Sequence, residues 1–159
     1  MNVLVTGGAG YIGSHAVREL LAAGHKVVVY DSLVKGHRGA VPDGVPFVKA
    51  DIRNAAVLAE TFEVLPVDAV MHFAAASEVG ESMVNPAKYY QDNVAATLSL
   101  LESLNKAKIR KIVFSSTAAV YGEPESCPIR EDAALKPTNV YGRTKLIIEG
   151  LLADFAMAY

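Results

Sequence analysis

Short apolar runs alternate with amphipathic stretches along the whole chain, and the switch between the two periods sets out the elements. Residues 2–6 read as an apolar strand, followed by a Gly-rich turn over 7–13 and an amphipathic helix through 14–21. A second strand over 27–30 ends at Asp31, and a third over 45–50 ends at Asp51. Asn54 is placed to cap a helix that runs through about Glu63. Residues 67–73 form a fourth, buried strand, a long helix is expected over 87–107 behind Pro86, and a fifth strand covers 111–115. Residues 118–137 carry three prolines and read as a long loop, which in a compact domain usually serves function. A last helix runs from about Val140 to the end. Strand and helix alternate throughout, which predicts a parallel sheet wound right-handed, with ligand at the carboxyl ends of its strands.

The first turn gives this α/β pattern a chemistry. Gly7, Gly10 and Gly13 stand between a strand and a helix, as a dinucleotide-binding turn requires. Gly7 permits the tight turn, Gly10 lets backbone N–H groups approach a pyrophosphate, and Gly13 allows helix and strand to pack closely. The helix N-terminus adds partial positive charge for the phosphates. Asp31 follows Gly13 by eighteen residues at the end of the second strand, where an acid accepts from the ribose hydroxyls of NAD and repels a 2′-phosphate. The competing reading is a turn aspartate after a buried strand, and the nearby Lys35, His37 and Arg38 keep NADP open. The fold expected is a Rossmann-like doubly wound parallel sheet.

Tyr141 and Lys145 carry the candidate reaction. Four residues apart on a helix, they share one face and set an ammonium beside a phenol. A free tyrosine titrates near pH 10 and is a poor base at neutrality, and a neighbouring cation favours the phenolate. The pair alone is also compatible with a solvated helix face. Its position downstream of a Ser-Ser-Thr strand end, in a chain that opens with the glycine turn, favours chemistry.

Composition narrows the class. The chain has 159 residues, 52% apolar, with a net charge of −2, so it is long enough to bury one core and shows no basic patch for nucleic acid. Its apolar runs are too short to span a bilayer, and it opens on a strand with no basic leader. The single cysteine, Cys127, fits a reducing cytoplasm, and the four histidines show no metal-ligand spacing, so no metal is expected. The apolar final helix reaches the last residue without a cap, which reads as the amino-terminal part of a longer protein.

Together these residues resemble the extended short-chain dehydrogenase/reductase family, and within it the UDP-hexose 4-epimerase branch. The resemblance covers all 159 residues and rests on Thr6-Gly7-Gly8-Ala9-Gly10-Tyr11-Ile12-Gly13-Ser14-His15, Asp31-Ser32-Leu33, Asp51-Ile52-Arg53, His72-Phe73-Ala74-Ala75, Val79-Gly80-Glu81-Ser82, Asn93, the stretch from Phe114 to Gly122, and Tyr141-Gly142-Arg143-Thr144-Lys145. It implies an NAD site in which the turn, with Tyr11 and Ile12, meets the phosphates and Asp31 and Ser32 meet the ribose. Asp51 and Ile52 would hold the adenine, though a strand-end aspartate capping the next turn is the competing reading. Phe73-Ala74-Ala75 would pass beneath the cofactor, and Asn93 would bond backbone to keep the site open. Ser115 and Thr117 lie at the end of the fifth strand, and Thr117 would donate to a sugar oxygen. Tyr141 would take the proton of the sugar 4-hydroxyl while Lys145 holds the cofactor ribose.

The chain departs from the pattern at three places. Ser32 replaces a common Asn, Thr117 replaces a common Ser, and Ser77 stands where many epimerases carry a Lys near the cofactor phosphates. Sister dehydratases need an Asp-Glu pair directly after the threonine, and here Ala118 and Ala119 occupy those places. Uronate epimerases, decarboxylases and a non-catalytic NAD-sensing module remain as alternatives. By resemblance the whole protein is a homodimer paired through helices 87–107 and 140–159, with an incomplete NAD-binding domain over 1–159 and its substrate domain outside this chain.

Overall fold

The computed structural model describes residues 1–159, which divide into two compact units. One comprises residues 1–75 and 99–115, the other residues 76–98 and 116–159.

The first unit is built on a five-stranded sheet. Its strands are β1 (Asn2–Thr6), β2 (Lys26–Asp31), β3 (Phe47–Lys49), β4 (Ala69–His72) and β5 (Ile112–Phe114), and its helices are α1 (Tyr11–Ala22) and α2 (Ala55–Val64). The order is β3-β2-β1-β4-β5, with every pairing parallel. These are the first five strands of the 3-2-1-4-5-6 order of dinucleotide-binding sheets, so the Rossmann-like expectation holds. Both faces of β1 are covered: Val3 and Val5 cluster with Val17 of α1 and with Val27 and Val29, while Leu4 is fully buried on the opposite face. That is why the strands read as unbroken apolar runs rather than as alternating ones.

Several boundaries differ from the pattern. The third strand is only three residues long, because Pro46 cannot donate to the ladder and Asp51 turns the chain away. No α-helix separates β2 from β3; a single 3₁₀ turn at Arg38–Ala40 makes that connection. Asn54 caps α2 as expected, its side chain accepting the Val57 N–H at 3.2 Å.

The long helix expected over 87–107 is present as an unbroken helical run from Pro86 to Lys106, with a change of winding in its middle. A helix absent from the sequence reading, α3 (Val79–Val84), precedes α4 (Pro86–Tyr89), and a wide π-helical turn over Tyr90–Ala95 follows before α5 (Ala96–Lys106) resumes regular winding. Residues of α5 from Ser99 onward belong to the first unit. Asn85 and Pro86 start α4 as cap and first helical residue. The π turn contains Asn93, whose side chain is occupied outside the helix, and such widened turns concentrate at functional sites. The expected loop over 118–137 includes a 3₁₀ turn at Ala118–Tyr121. The last helix, α6 (Val140–Ala158), matches its expected range and packs against α3, the π turn and the 3₁₀ turn. No helix is long and apolar enough to cross a membrane.

Candidate functional site

In the first unit β1 and β4 are neighbours whose onward connections leave in opposite directions, the switch point at which open α/β sheets bind ligands. Their carboxyl ends are tied together by Thr6 Oγ1 and His72 Nδ1, buried and 2.6 Å apart. The glycine turn leaves from β1 at this point. A Cβ on Gly7, which has φ +71°, would stand 2.6 Å from the Ala74 nitrogen, and one on Gly13 would stand 2.2 Å from the Gly7 carbonyl oxygen. The turn is thus pressed onto the backbone of Phe73–Ala74 and onto the start of α1, which answers the requirement for small residues there. α1 starts after Gly10 with no side-chain cap, and Tyr11 and Ile12 are 83% and 60% exposed. An uncapped first turn facing solvent suits an anion, so these residues fit the pyrophosphate of a dinucleotide.

The acids at the strand ends are differently engaged. Asp31 is buried, its Oδ2 accepting the Ala9 N–H at 3.0 Å and its Oδ1 the Leu33 N–H at 2.8 Å. Each carboxylate oxygen has a second lone pair, so the group can organise the turn and still accept from a ribose. Ser32 lies beside it, its Oγ accepting from Val34 N at 3.5 Å. The Asp51 carboxylate, expected on an adenine amine, also bonds its neighbour: Arg53 Nη2 meets Oδ2 at 2.6 Å, and Arg53 Nε and backbone N–H meet Oδ1 at 3.0 and 2.8 Å. The side-chain bond to Arg53 holds this carboxyl below the usual carboxylate range. Oδ2 accepts from one donor only and keeps a second lone pair, so the group can serve the turn and still accept from an adenine amine. Ile52 is buried. Ser115 continues β5, its N–H donating to the His72 carbonyl at 3.2 Å.

The second unit holds the candidate catalytic groups. Asn139 caps α6 by accepting the Gly142 N–H at 2.7 Å, which fixes the helical phase of the residues behind it. Tyr141 and Lys145 share a face as expected, with Lys145 Nζ 5.9 Å from the centre of the Tyr141 ring. Lys145 is buried, and that burial pushes its ammonium from 10.5 down to about 8. Thr117 Oγ1 accepts the Ala119 N–H at 3.2 Å, ending the strand segment and starting the 3₁₀ turn. Asn93 is wholly buried; its Oδ1 accepts from Ala76 N at 2.8 Å and its Nδ2 donates to the Ala76 carbonyl and to Thr144 Oγ1, both at 3.0 Å. The amide thus bonds backbone, as expected, and also the hydroxyl of Thr144 on α6.

Thr144 and Ser82 stand in motifs the sequence singles out, but it gave neither a contact, nor did it show the short hydrogen bond from Ser116 Oγ to Glu149 Oε1. Hydroxyl side chains give no periodic signal, and only the folded chain shows what they touch.

The sequence profile of the NAD dependent epimerase/dehydratase family matches residues 3–159. The chain belongs to that family. Among members of this epimerase/dehydratase family, a UDP-glucose 4-epimerase from Lacticaseibacillus casei is 49% identical over 159 residues, covering 100% of this chain and 48% of the relative. The solved structure of UDP-glucose 4-epimerase from Brucella ovis in complex with NAD is 51% identical, with a TM-score of 0.96, covering 99% of this chain and 48% of that one. The UDP-glucose 4-epimerase structure from Stenotrophomonas maltophila, with bound NAD and formylated UDP-arabinopyranose, is 45% identical with a TM-score of 0.94 and covers 99% of this chain and 49% of that one. The chain spans about half the length of the epimerases it matches.

Proposed function

We propose that this chain is the NAD-binding, base-carrying half of a UDP-hexose 4-epimerase. The observation that carries the proposal is the buried Lys145 held 5.9 Å from the Tyr141 ring in a chain that also presents an uncapped dinucleotide turn. Gly7, Gly10, Tyr11, Ile12 and Gly13 would hold the NAD pyrophosphate. Asp31 and Ser32 would hold the adenosine ribose, Ile52 would frame the adenine, and Phe73, Ala74 and Ala75 would pass beneath the cofactor. When bound, NAD supplies the acceptor for the hydride that leaves C4 of the sugar. Tyr141 takes the proton of the 4-hydroxyl as that carbon becomes a ketone, and returns it when the carbon is reduced on its other face. Thr117 donates to the sugar oxygen, and the Lys145 ammonium stabilises the phenolate that begins and ends the cycle. Ala118 and Ala119 offer no acid or base to expel water, which supports epimerisation over dehydration.

The direct test is to supply UDP-galactose to the full-length protein, this chain joined to the second half that its relatives carry. UDP-glucose should form without added cofactor, and denatured protein should release NAD, not NADP, because Asp31 would face a 2′-phosphate. No interconversion by a folded, NAD-loaded protein would reject the proposal.

The full-length protein should also be a homodimer. Tyr90, Leu98, Ile147 and Met157 are at least 36% exposed on the helical segments expected to pair, and covering such side chains stabilises an isologous contact. Sedimentation equilibrium checks this, and a monomer at micromolar concentration would count against it.

A further inference from the structure

The segment Val79-Gly80-Glu81-Ser82 belongs to the pattern by which the chain resembles its relatives, yet nothing above gives it a task. In the structure it opens α3, and its serine reaches the helix that carries Tyr141. Ser82 is fully buried. Its Oγ donates to the Val79 carbonyl at 2.6 Å and accepts the Tyr141 N–H at 3.2 Å. That N–H belongs to the first turn of α6, where no intrahelical carbonyl is available to take it. Asn139 caps the next N–H from within the helix's own chain, so α6 has two caps from different elements.

The other side of Tyr141 is held in the same way. Its carbonyl accepts from Thr144 Oγ1 at 2.7 Å, and that oxygen accepts in turn from Asn93 Nδ2 at 3.0 Å. Both peptide groups that flank the Tyr141 Cα are therefore fastened by buried hydroxyls. The helix bearing Ser82 is itself braced. The Tyr89 hydroxyl lies 2.6 Å from the Glu78 carbonyl and 2.9 Å from Glu81 Oε2, and accepts the Glu78 N–H at 3.0 Å. Lys88 Nζ meets Glu81 Oε1 at 2.5 Å.

We propose that Ser82 is a positioning residue for Tyr141, fixing the start of α6 so that the phenol is aimed at the sugar hydroxyl. The proposal rests on Tyr141 being the base. A displacement on the order of 1 Å at a reacting group costs about a hundredfold in rate, so a loosened cap is expected to lower turnover by roughly tenfold or more.

Ser82→Ala, Ser82→Cys and Ser82→Thr, each made in the full-length protein, test it beside Tyr141→Phe. The alanine and cysteine variants should lose kcat with KM for the nucleotide sugar and bound NAD unchanged, while threonine, which keeps a hydroxyl, restores part of the loss. Cysteine is close to serine in size but a poor acceptor, so it separates the hydrogen bond from packing and decides the matter if the alanine variant does not fold. Wild-type kcat in Ser82→Cys, or a loss that falls on KM and NAD content instead, would overturn the positioning role. A fully active Tyr141→Phe would instead reject the base on which the proposal rests.

Discussion

Tyr141→Phe in the full-length protein will lower epimerase turnover by roughly a hundredfold or more, the usual size of a lost general base, while leaving the fold and the NAD content intact. Phenylalanine keeps the ring that packs at the start of α6 and deletes only the hydroxyl that exchanges the proton. The backbone of Tyr141 is held by Ser82 and Thr144 through its peptide groups, which the substitution does not touch. Steady-state kinetics with UDP-galactose, together with NAD quantified after denaturation, check both halves of this expectation. An unchanged rate would overturn the proposed mechanism and leave only a cofactor-binding fold.

Lys145→Met has the second large effect, and it separates function from stability. In the full-length protein it should weaken NAD retention and lower turnover together, because the same ammonium is assigned to the ribose and to the phenolate. In the 159-residue chain its signature is a pH dependence. The folded Lys145 titrates near 8 because of burial, against 10.5 for the unfolded group. Between those values the unfolded chain holds a proton that the folded chain has released, so stability rises with pH across this window. Below about pH 8 the buried ammonium opposes folding in full. A shift of this size corresponds to about 3 kcal/mol, and Lys145 is buried enough for solvent to screen little of it. The stability of wild type relative to Lys145→Met should therefore climb from pH 8 to pH 10.5, as measured by urea unfolding at fixed ionic strength. A flat difference across that range would show that burial does not depress this lysine.

The elements that depend on local pattern were legible in the sequence. Residues 2–6 and 27–30 are apolar runs feeding turns with glycine or aspartate, and the structure places strands over them with one residue of extension at either end of the second. Asn54 was readable because a cap acts within one turn of chain. The helix over 87–107 was legible because local composition there is helical throughout, but its π turn was not, since that turn accompanies a long-range bond between Asn93 and Ala76. Asp51 was ambiguous for the opposite reason. Its competitor for the carboxylate is Arg53, two residues away, and sequence alone does not say which way that side chain turns.

The sequence by itself determined the α/β class, the glycine turn before α1, the acid at the end of β2 and the pairing of Tyr141 with Lys145 on one helical face. Each of these follows from spacing along a regular element, whose geometry is fixed by the backbone. Only the tertiary structure decided the strand order, the burial that lowers Lys145, and the hold of Ser82, Thr144 and Asn93 around Tyr141. Those depend on which groups meet across tens of residues of chain, and the pairing of buried polar groups is settled only when the fold excludes water from them.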